Sequence, residues 1–592
     1  RPWTHLLFSL RCQGPRAVDL REELAKWQGA KLREDGQVSY PARLHEAVAQ
    51  RLQTLAVGTG LEVEGIPRWV CSIAGFGRED AAPDFGVSLT DAERQVHAFL
   101  ATLPPELQQR SPVLPYQVEG VAFGVHRGGR VLLGDEMGLG KTLQALLLAA
   151  QYEGEWPLLV VAPSSLRFVW REQAAQWLPH IVGEDGRLVH VLRGGRDRAP
   201  PEARVVVGTY DLLRRYEQLR SRPDGRDFLV IVVDESQNIK EAKSQRTKVV
   251  VGLCKAARRV VLLSGTPALN RATELYTQLE ALLPSHMPSF AEFAERYCIK
   301  ETQRFGKKTV EKWGGARRSA ELSCLLRGSV MVRRLKREVL DQLPAKRRMR
   351  VPLDPEKMDQ DLLREVERRL RTVGHGVEAH LAGDAGNLAL GQTAALFCLT
   401  ARAKMGAVLD YIEHLLQLRT KFLFFGHHQQ TLDAAEQKLR ELGTPCIRID
   451  GRTPPGQRPA LVAKFQEQES VRVAVLSITA AGTGLTLTAA QTVVFGELYW
   501  VPGQMQQAED RAHRIGQRDC VTVQYLVASG TLDEALFKSL ERKTASTSAI
   551  LNGRQSGLAA ARETRESAAA QAGRGVPRPA GAREEAPPAK RP

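Results

Sequence analysis

The chain has 592 residues, 43% of them hydrophobic and 25% charged, and carries a formal net charge of +16. That length exceeds one ordinary core and favours two or three domains, while no apolar run is long enough to cross a bilayer and Arg1 to His5 lack the apolar core of a secretory signal. Eight cysteines stand singly with no Cys-x-x-Cys pair, which speaks against structural zinc and for a reducing compartment, and the positive balance points to a polyanion as partner.

Residues 1–100 are mixed in character and read as an N-terminal accessory region, with Trp3, Trp27 and Trp69 as expected core anchors. From residue 101 to 350 apolar strands alternate with helical patterns. The first apolar run, Val131-Leu132-Leu133, leads into Gly134-Asp135-Glu136-Met137-Gly138-Leu139-Gly140-Lys141-Thr142 and then a helix-like stretch from Leu143 to Ala150. Strand, glycine-rich loop and helix in that order make a phosphate cradle. Gly138 and Gly140 let backbone N–H groups turn inward, and the helix adds its positive end. Lys141 can reach the β- and γ-phosphates, and Thr142 can ligate Mg²⁺. Asp135 stands where the strict G-x-x-x-x-G-K-[ST] pattern has its first glycine.

Leu158–Ala162, Arg204–Val207, Leu229–Val233 and Val260–Leu263 read as buried parallel strands. The third ends in Asp234-Glu235. Asp234 suits Mg²⁺, directly or through water, and Glu235 suits orienting or deprotonating an attacking water. The same pair also opens many solvated loops. Ser264-Gly265-Thr266-Pro267 closes the next strand; its small hydroxyl residues fit a linker between phosphate state and lobe movement, though alone it is a turn. Arg333 to Arg350 is strongly basic and reads either as a solvated helix and linker or as a phosphate contact.

Residues 351–405 read as a helical connector. A second alternating block spans 406–551, with strands at Lys421–Phe425, Pro445–Ile449, Val471–Ser477, Thr492–Phe495 and Val521–Val527. Within it, Arg511 and Arg514 are three apart and would share one face of a helix. They are either arginine fingers for γ-phosphate charge or part of a surface basic helix. Residues 552–592, rich in Ala, Arg, Gly, Pro and Glu, read as a disordered tail. Two consecutive α/β blocks predict two lobes with a cleft between them.

With these pieces in this order, the chain resembles superfamily-two helicase-like ATPases of the Swi/Snf type from roughly Val113 to Ala549. Leu114-Pro115-Tyr116-Gln117 looks like the adenine-reading motif, with Gln117 the base contact. Ala162-Pro163-Ser164-Ser165-Leu166 and Gly208-Thr209-Tyr210 look like DNA-tracking motifs of lobe one. Ser477 to Thr486, which includes Gly484, looks like the lobe-two motif that touches DNA and nucleotide. Glu497-Leu498-Tyr499-Trp500-Val501-Pro502-Gly503 and Arg511-Ala512-His513-Arg514-Ile515-Gly516-Gln517 are typical. The run Met331 to Lys346, with Glu155 to Ser165 and Val473 to Ala481, is similar to the annealing-helicase, HARP-type branch of fork remodellers. Gln237 replaces the His usual in the Asp-Glu-x-His motif, with both carboxylates retained. Residues 1–100 show no HARP-type repeat.

The resemblance implies two tandem RecA-like α/β lobes of parallel sheet with an interlobe cleft, and ATP and Mg²⁺ as cofactors. It implies catalytic roles for Lys141, Asp234, Glu235, Arg511 and Arg514. Gln117, Gly138, Gly140, Lys141, Thr142 and Gly484 would bind nucleotide, and Thr142 and Asp234 the metal. The expected activity is ATP-dependent translocation on double-stranded DNA, with annealing or remodelling of branched DNA, and a single-strand-binding protein as a further partner. A nucleosome-remodelling ATPase shares the motor, but no chromatin-reading module is evident. The Swi/Snf-type motifs argue against a strand-separating RNA helicase. A catalytically inactive DNA-binding scaffold would be expected to have lost Lys141, Glu235 or Arg514. Such an enzyme works in the nucleus of a eukaryote or at the nucleoid of a bacterium.

Overall fold

The two alternating blocks fold into two units in the computed structural model of the chain. One comprises Arg1–Val339 with Lys543–Ser556, the other Leu340–Arg542 with Gly557–Pro592. The structure describes residues 87–305, 308–340, 343–382, 387–479 and 485–553; before residue 87 it describes only 7–10, 24–26, 30–32, 38–41, 47–48, 50–52 and 66–74, and after 553 only 558 and 560–562.

In the first unit β1 (Leu7–Leu10), β2 (Lys31–Leu32) and β3 (Val38–Pro41) form a small antiparallel sheet. The main sheet is parallel and seven-stranded. It uses β4 (Arg130–Leu133), β5 (Leu158–Ala162), β6 (Val189–Val191), β7 (Val205–Thr209), β8 (Val230–Asp234) and β9 (Arg259–Leu263). After a separate hairpin, β10 (Ile299–Phe305) with β11 (Lys308–Gly314), β12 (Met331–Val332) completes the sheet in the order β12-β4-β9-β8-β5-β7-β6. Successive residues of a strand point to opposite faces. Accordingly Val131 and Leu133 join one core cluster and Leu132 the other. Both faces are covered, which is why the strands read as unbroken apolar runs.

The strand order positions the site. From β4 the chain passes to β5, and only later inserts β8 and β9 between them. The C-terminal ends of β4, β9 and β8 therefore lie side by side, at a switch point where open parallel sheets bind ligands. The helices that matter here are α1 (Pro115–His126), α2 (Lys141–Ala150), α3 (Arg167–Trp177) and α4 (Tyr210–Arg215). Of the three expected anchors, Trp69 packs on Phe293 and Tyr297 at 6.3 and 5.9 Å, while Trp3 and Trp27 lie outside the described residues.

The second unit has its own seven-stranded parallel sheet. Its strands are β13 (Lys346–Pro352), β14 (Phe422–Gly426), β15 (Cys446–Ile449), β16 (Val473–Ser477), β17 (Thr492–Phe495), β18 (Val521–Val527) and β19 (Ala561–Arg562), in the order β15-β16-β14-β17-β18-β13-β19. A ring stack crosses its core: Phe425 on Phe495 at 5.2 Å and Phe495 on Tyr525 at 5.3 Å. Helices α5 (Gln360–Ala382) and α6 (Asn387–Ala403) fill the expected connector, followed by α7 (Pro502–Glu509) and α8 (Leu532–Asn552).

Three details differ from the sequence reading. The boundary at residue 350 falls inside β13, a strand of the second sheet paired with β18. The end of α8 belongs to the first unit. Ala561–Arg562, within the segment read as a tail, pairs with β13; residues 563–592 lie outside the described residues. Among the described residues no helix is long and apolar enough to cross a membrane.

Candidate nucleotide and motor site

The phosphate loop follows β4 directly. Gly138 and Gly140 hold φ of +86° and +75°, a region closed to most side chains, and Gly140 caps α2. A Cβ on Gly140 would stand 2.3 Å from Gln117 Nε2, so this glutamine rests against the loop itself. Gln117 is buried; its Oε1 accepts from Leu114 N at 2.9 Å and its Nε2 donates to Leu139 O at 3.3 Å. Lys141 donates to Asp135 O at 2.8 Å and Glu136 O at 3.3 Å. Burial holds its ammonium down to about 8, opposed by the carboxylates of Glu235 and Asp135. Thr142 follows, half-buried, in the first turn of α2.

Asp135, the departure from the phosphate-loop pattern, has a structural cause. Its carboxylate is fully buried and held by Arg334, through the backbone N–H at 3.0 Å, Nε at 3.1 Å and Nη2 at 2.9 Å, with Gln144 Nε2 at 3.0 Å. Arg334 also lies over the Tyr116 ring at 5.3 Å and donates to Tyr116 O. One guanidinium thus ties the Leu114-Pro115-Tyr116-Gln117 segment to the phosphate loop. Sequence reasoning missed it, because Arg334 sits in a run read only as basic; an acid in a glycine position was the signal for a buried cationic partner.

At the end of β8, Asp234 accepts from Trp170 Nε1 at 2.9 Å and from Glu235 N at 2.9 Å. Burial and the adjacent Glu235 push its carboxyl up from the ordinary carboxylate range. Glu235 adopts φ +52°, left-handed for a non-glycine residue, a conformation that costs on the order of 1–3 kcal/mol and concentrates at functional sites. Its carbonyl is pinned by Asn238 Nδ2 at 2.9 Å and Tyr210 Oη at 3.2 Å. Tyr210 opens α4 in the Gly208-Thr209-Tyr210 motif, so that motif is anchored on the carboxylate pair. Gln237 bridges two motifs. Its Nε2 donates to Glu235 Oε2 at 2.5 Å, and its Oε1 accepts from Ser264 Oγ at 2.6 Å. Ser264 Oγ in turn accepts from Thr266 N at 3.1 Å.

These residues fit a magnesium nucleotide. Lys141, the carboxylates of Asp234 and Glu235 and the Ser264 turn come from the ends of three adjacent strands, β4, β8 and β9. The cradle tolerates no Cβ at Gly265, which would stand 2.4 Å from Met137 Cγ and 3.5 Å from Lys141 Nζ.

The second unit supplies the other expected site residues. Helix α7 stops at Glu509, so Arg511 and Arg514 lie in the turns beyond it and not on a shared helical face. Arg511 is fully buried and donates to Gln507 O at 3.1 Å and Leu485 O at 3.2 Å. Arg514 is partly exposed and donates to Asp510 O at 3.0 Å and Thr486 Oγ1 at 3.2 Å. Below them Glu509 is held by Lys346 at 3.0 Å and Arg348 at 2.7 Å; those cations keep its carboxyl down to about 2 despite complete burial. Gly484 lies outside the described residues.

A phosphate loop, a strand-end Asp-Glu pair and a Ser-Gly-Thr turn on adjoining strands, followed by a second parallel-sheet unit carrying an arginine motif, define a helicase-like ATPase. Residues 116–399 match the SNF2-related domain and residues 403–516 the helicase conserved C-terminal domain. The chain belongs to the SNF2-related, Swi/Snf-type ATPases. It is 42% identical over 497 residues to the mouse protein named DNA annealing helicase and endonuclease ZRANB3, covering 83% of this chain and 45% of that one. It is also 42% identical over 484 residues to SWI/SNF-related matrix-associated actin-dependent regulator of chromatin subfamily A-like protein 1 of Xenopus tropicalis, covering 82% of this chain and 48% of the relative. The chain thus spans under half the length of these curated relatives. A solved Sulfolobus solfataricus SWI2/SNF2 ATPase core in complex with dsDNA is 24% identical, covering 74% of this chain and 93% of that one, with a TM-score of 0.35.

Proposed function

We propose that this protein is a DNA-dependent ATPase that translocates on double-stranded DNA and anneals strands or remodels branched DNA. The observation that carries the ATPase reading is the convergence of Lys141, Asp234-Glu235 and Ser264 at three neighbouring strand ends. The output is supported by the likeness to a protein named an annealing helicase. Lys141 neutralises the β- and γ-phosphates, and Gln117 reads the adenine. Thr142 and Asp234 would hold Mg²⁺, which supplies charge neutralisation on the transferred phosphoryl group. Glu235 accepts the proton of the attacking water at Oε1, because Oε2 is engaged by Gln237. Arg514 supplies the transition-state cation and Arg511 fixes the motif around it. The protein acts where the DNA is, in a nucleus or nucleoid, beside single-strand-binding protein.

The test compares ATP hydrolysis with single-stranded, duplex and forked DNA, then offers the enzyme a bubble coated with single-strand-binding protein. Duplex and forked DNA should stimulate, added salt should weaken that stimulation through counterion competition, and the bubble should rezip with ATP. Lys141→Ala should abolish turnover, and Glu235→Gln should bind nucleotide without hydrolysing it. ATP-driven separation of a blunt duplex, or full turnover without Glu235, would refute the reading.

A further inference from the structure

Residue Asn552 lies beyond every nucleotide motif, yet it contacts the arginine that spaces two of them. Arg333 is 8% exposed, and its Nη1 donates to Gly134 O at 2.6 Å and Gly265 O at 2.7 Å. Those carbonyls belong to the phosphate loop and to the Ser-Gly-Thr turn, the two walls of the Lys141 cradle. A guanidinium is a rigid planar fork, so its orientation fixes the spacing of whatever it binds. The edge of that fork is held by Asn552, whose Oδ1 accepts from Arg333 Nε at 3.0 Å. The Asn552 amide is itself oriented, because its Nδ2 donates to Ser548 Oγ at 3.0 Å.

This end of α8 is built into the first unit. Ile550 and Leu551 are 0% and 3% exposed, in the core cluster that contains Leu326 and Met331. Gly553 closes the helix at φ +69°, with its N–H on Ala549 O at 3.1 Å. The helix begins at Leu532, in the second unit.

We propose that Asn552 is a positioning residue for ATP turnover. It acts through Arg333 to hold the phosphate loop and the Ser-Gly-Thr turn at their working separation, and it makes hydrolysis in the first unit depend on the return of the chain from the second. The proposal rests on ATP turnover at the Lys141 site and goes beyond it. A chain ended before Asn552 would keep the first main sheet, six strands of the second and every motif, and turn over poorly.

The test uses the full chain with duplex DNA. Asn552→Leu should lower kcat about tenfold, the effect of losing one hydrogen bond to a charged group, with the ATP dissociation constant changed less than about twofold. Asn552→Asp keeps an oxygen for the same N–H and should restore kcat. If Asn552→Leu does not fold, Ser548→Ala frees the amide to rotate and should still lower kcat, about two- to threefold, without moving the thermal midpoint. Full kcat in Asn552→Leu would overturn the proposal, as would an aspartate variant as impaired as the leucine one. So would a lowered midpoint with normal turnover per folded molecule, which marks a helix anchor only. A parent protein without any ATPase would instead refute the functional reading above.

Discussion

Replacing Gln237 by Leu tests how the first unit links hydrolysis to the neighbouring turn. The amide is 8% exposed and makes two hydrogen bonds at once, to Glu235 Oε2 at 2.5 Å and from Ser264 Oγ at 2.6 Å. Leucine has similar volume, so the substitution removes both bonds with little change in packing. The bond to the carboxylate is charge-assisted and worth about 1.5–3 kcal/mol; the hydroxyl contributes about 1 kcal/mol more. Only the first orients the base, so kcat should fall roughly 10- to 150-fold, the range that 1.4–3 kcal/mol spans. The assay is steady-state hydrolysis at saturating duplex DNA, with thermal unfolding as control. Gln237→His keeps one donor and one acceptor, and should retain turnover near pH 8. It also places a group of ordinary pKa near 6.5 beside Glu235. Protonation would replace its acceptor nitrogen by a second donor and reverse the bond to Ser264, whose hydroxyl would accept where in the parent it donates. The histidine variant should therefore lose turnover on acidification where the parent does not, beginning above about pH 6.5 because the adjacent Glu235 carboxylate favours the cation. An unchanged kcat in Gln237→Leu, or superimposable pH profiles, would refute the relay.

The two arginines beyond α7 should separate by phenotype. Arg514→Ala should slow hydrolysis on the order of 10³-fold with the thermal midpoint unchanged. Arg511→Ala should cost about 1–3 kcal/mol in urea unfolding, because it leaves the carbonyls of Gln507 and Leu485 buried without their donor. Arg334→Leu strands the buried Asp135 carboxylate and should destabilise the protein by about 3–5 kcal/mol; Asp135→Asn in that background should recover part of the loss. Lys141 binds phosphate as a cation but is held down to about 8, so ATP binding takes up a proton near that pH. Affinity measured without turnover should then weaken roughly tenfold per pH unit above about 8, and a flat profile up to pH 9.5 would sink the assignment.

What could be read in advance follows from how each residue is satisfied. Most strands of the two main sheets showed as apolar runs because both faces are buried, and Thr492–Phe495 and Val521–Val527 match the structure residue for residue. The phosphate loop was legible from its strand, glycine and helix order, and the Asp-Glu pair, which alone opens many solvated loops, from its place after that loop. Strand β13 was not legible. Lys346-Arg347-Arg348-Met349-Arg350 has the composition of a solvated segment, and only the buried acids Glu509 and Asp510, far away in sequence, make it a strand of a sheet interior. The helix over Arg511 and Arg514 failed for a related reason. Spacing alone predicts a continued turn, whereas Arg511 instead holds the backbone of Leu485 from within the core.

The same distinction changes how the net charge of +16 bears on DNA. The basic run from Arg333 to Arg350 read either as a solvated helix and linker or as a phosphate contact, yet most of it is engaged within the protein. Arg333 and Arg334 hold the phosphate loop, Lys346 and Arg348 neutralise Glu509, and Arg350 pairs with Glu534 at 3.3 Å. A cation paired with a buried acid already has its counterion, so meeting a phosphate there releases none. The salt dependence of DNA binding counts only cations that exchange a mobile ion for a phosphate. Within this run Arg337 and Arg347 are exposed. The positive balance of the composition is therefore no guide to where a polyanion would meet this segment, whose buried arginines hold the phosphate loop.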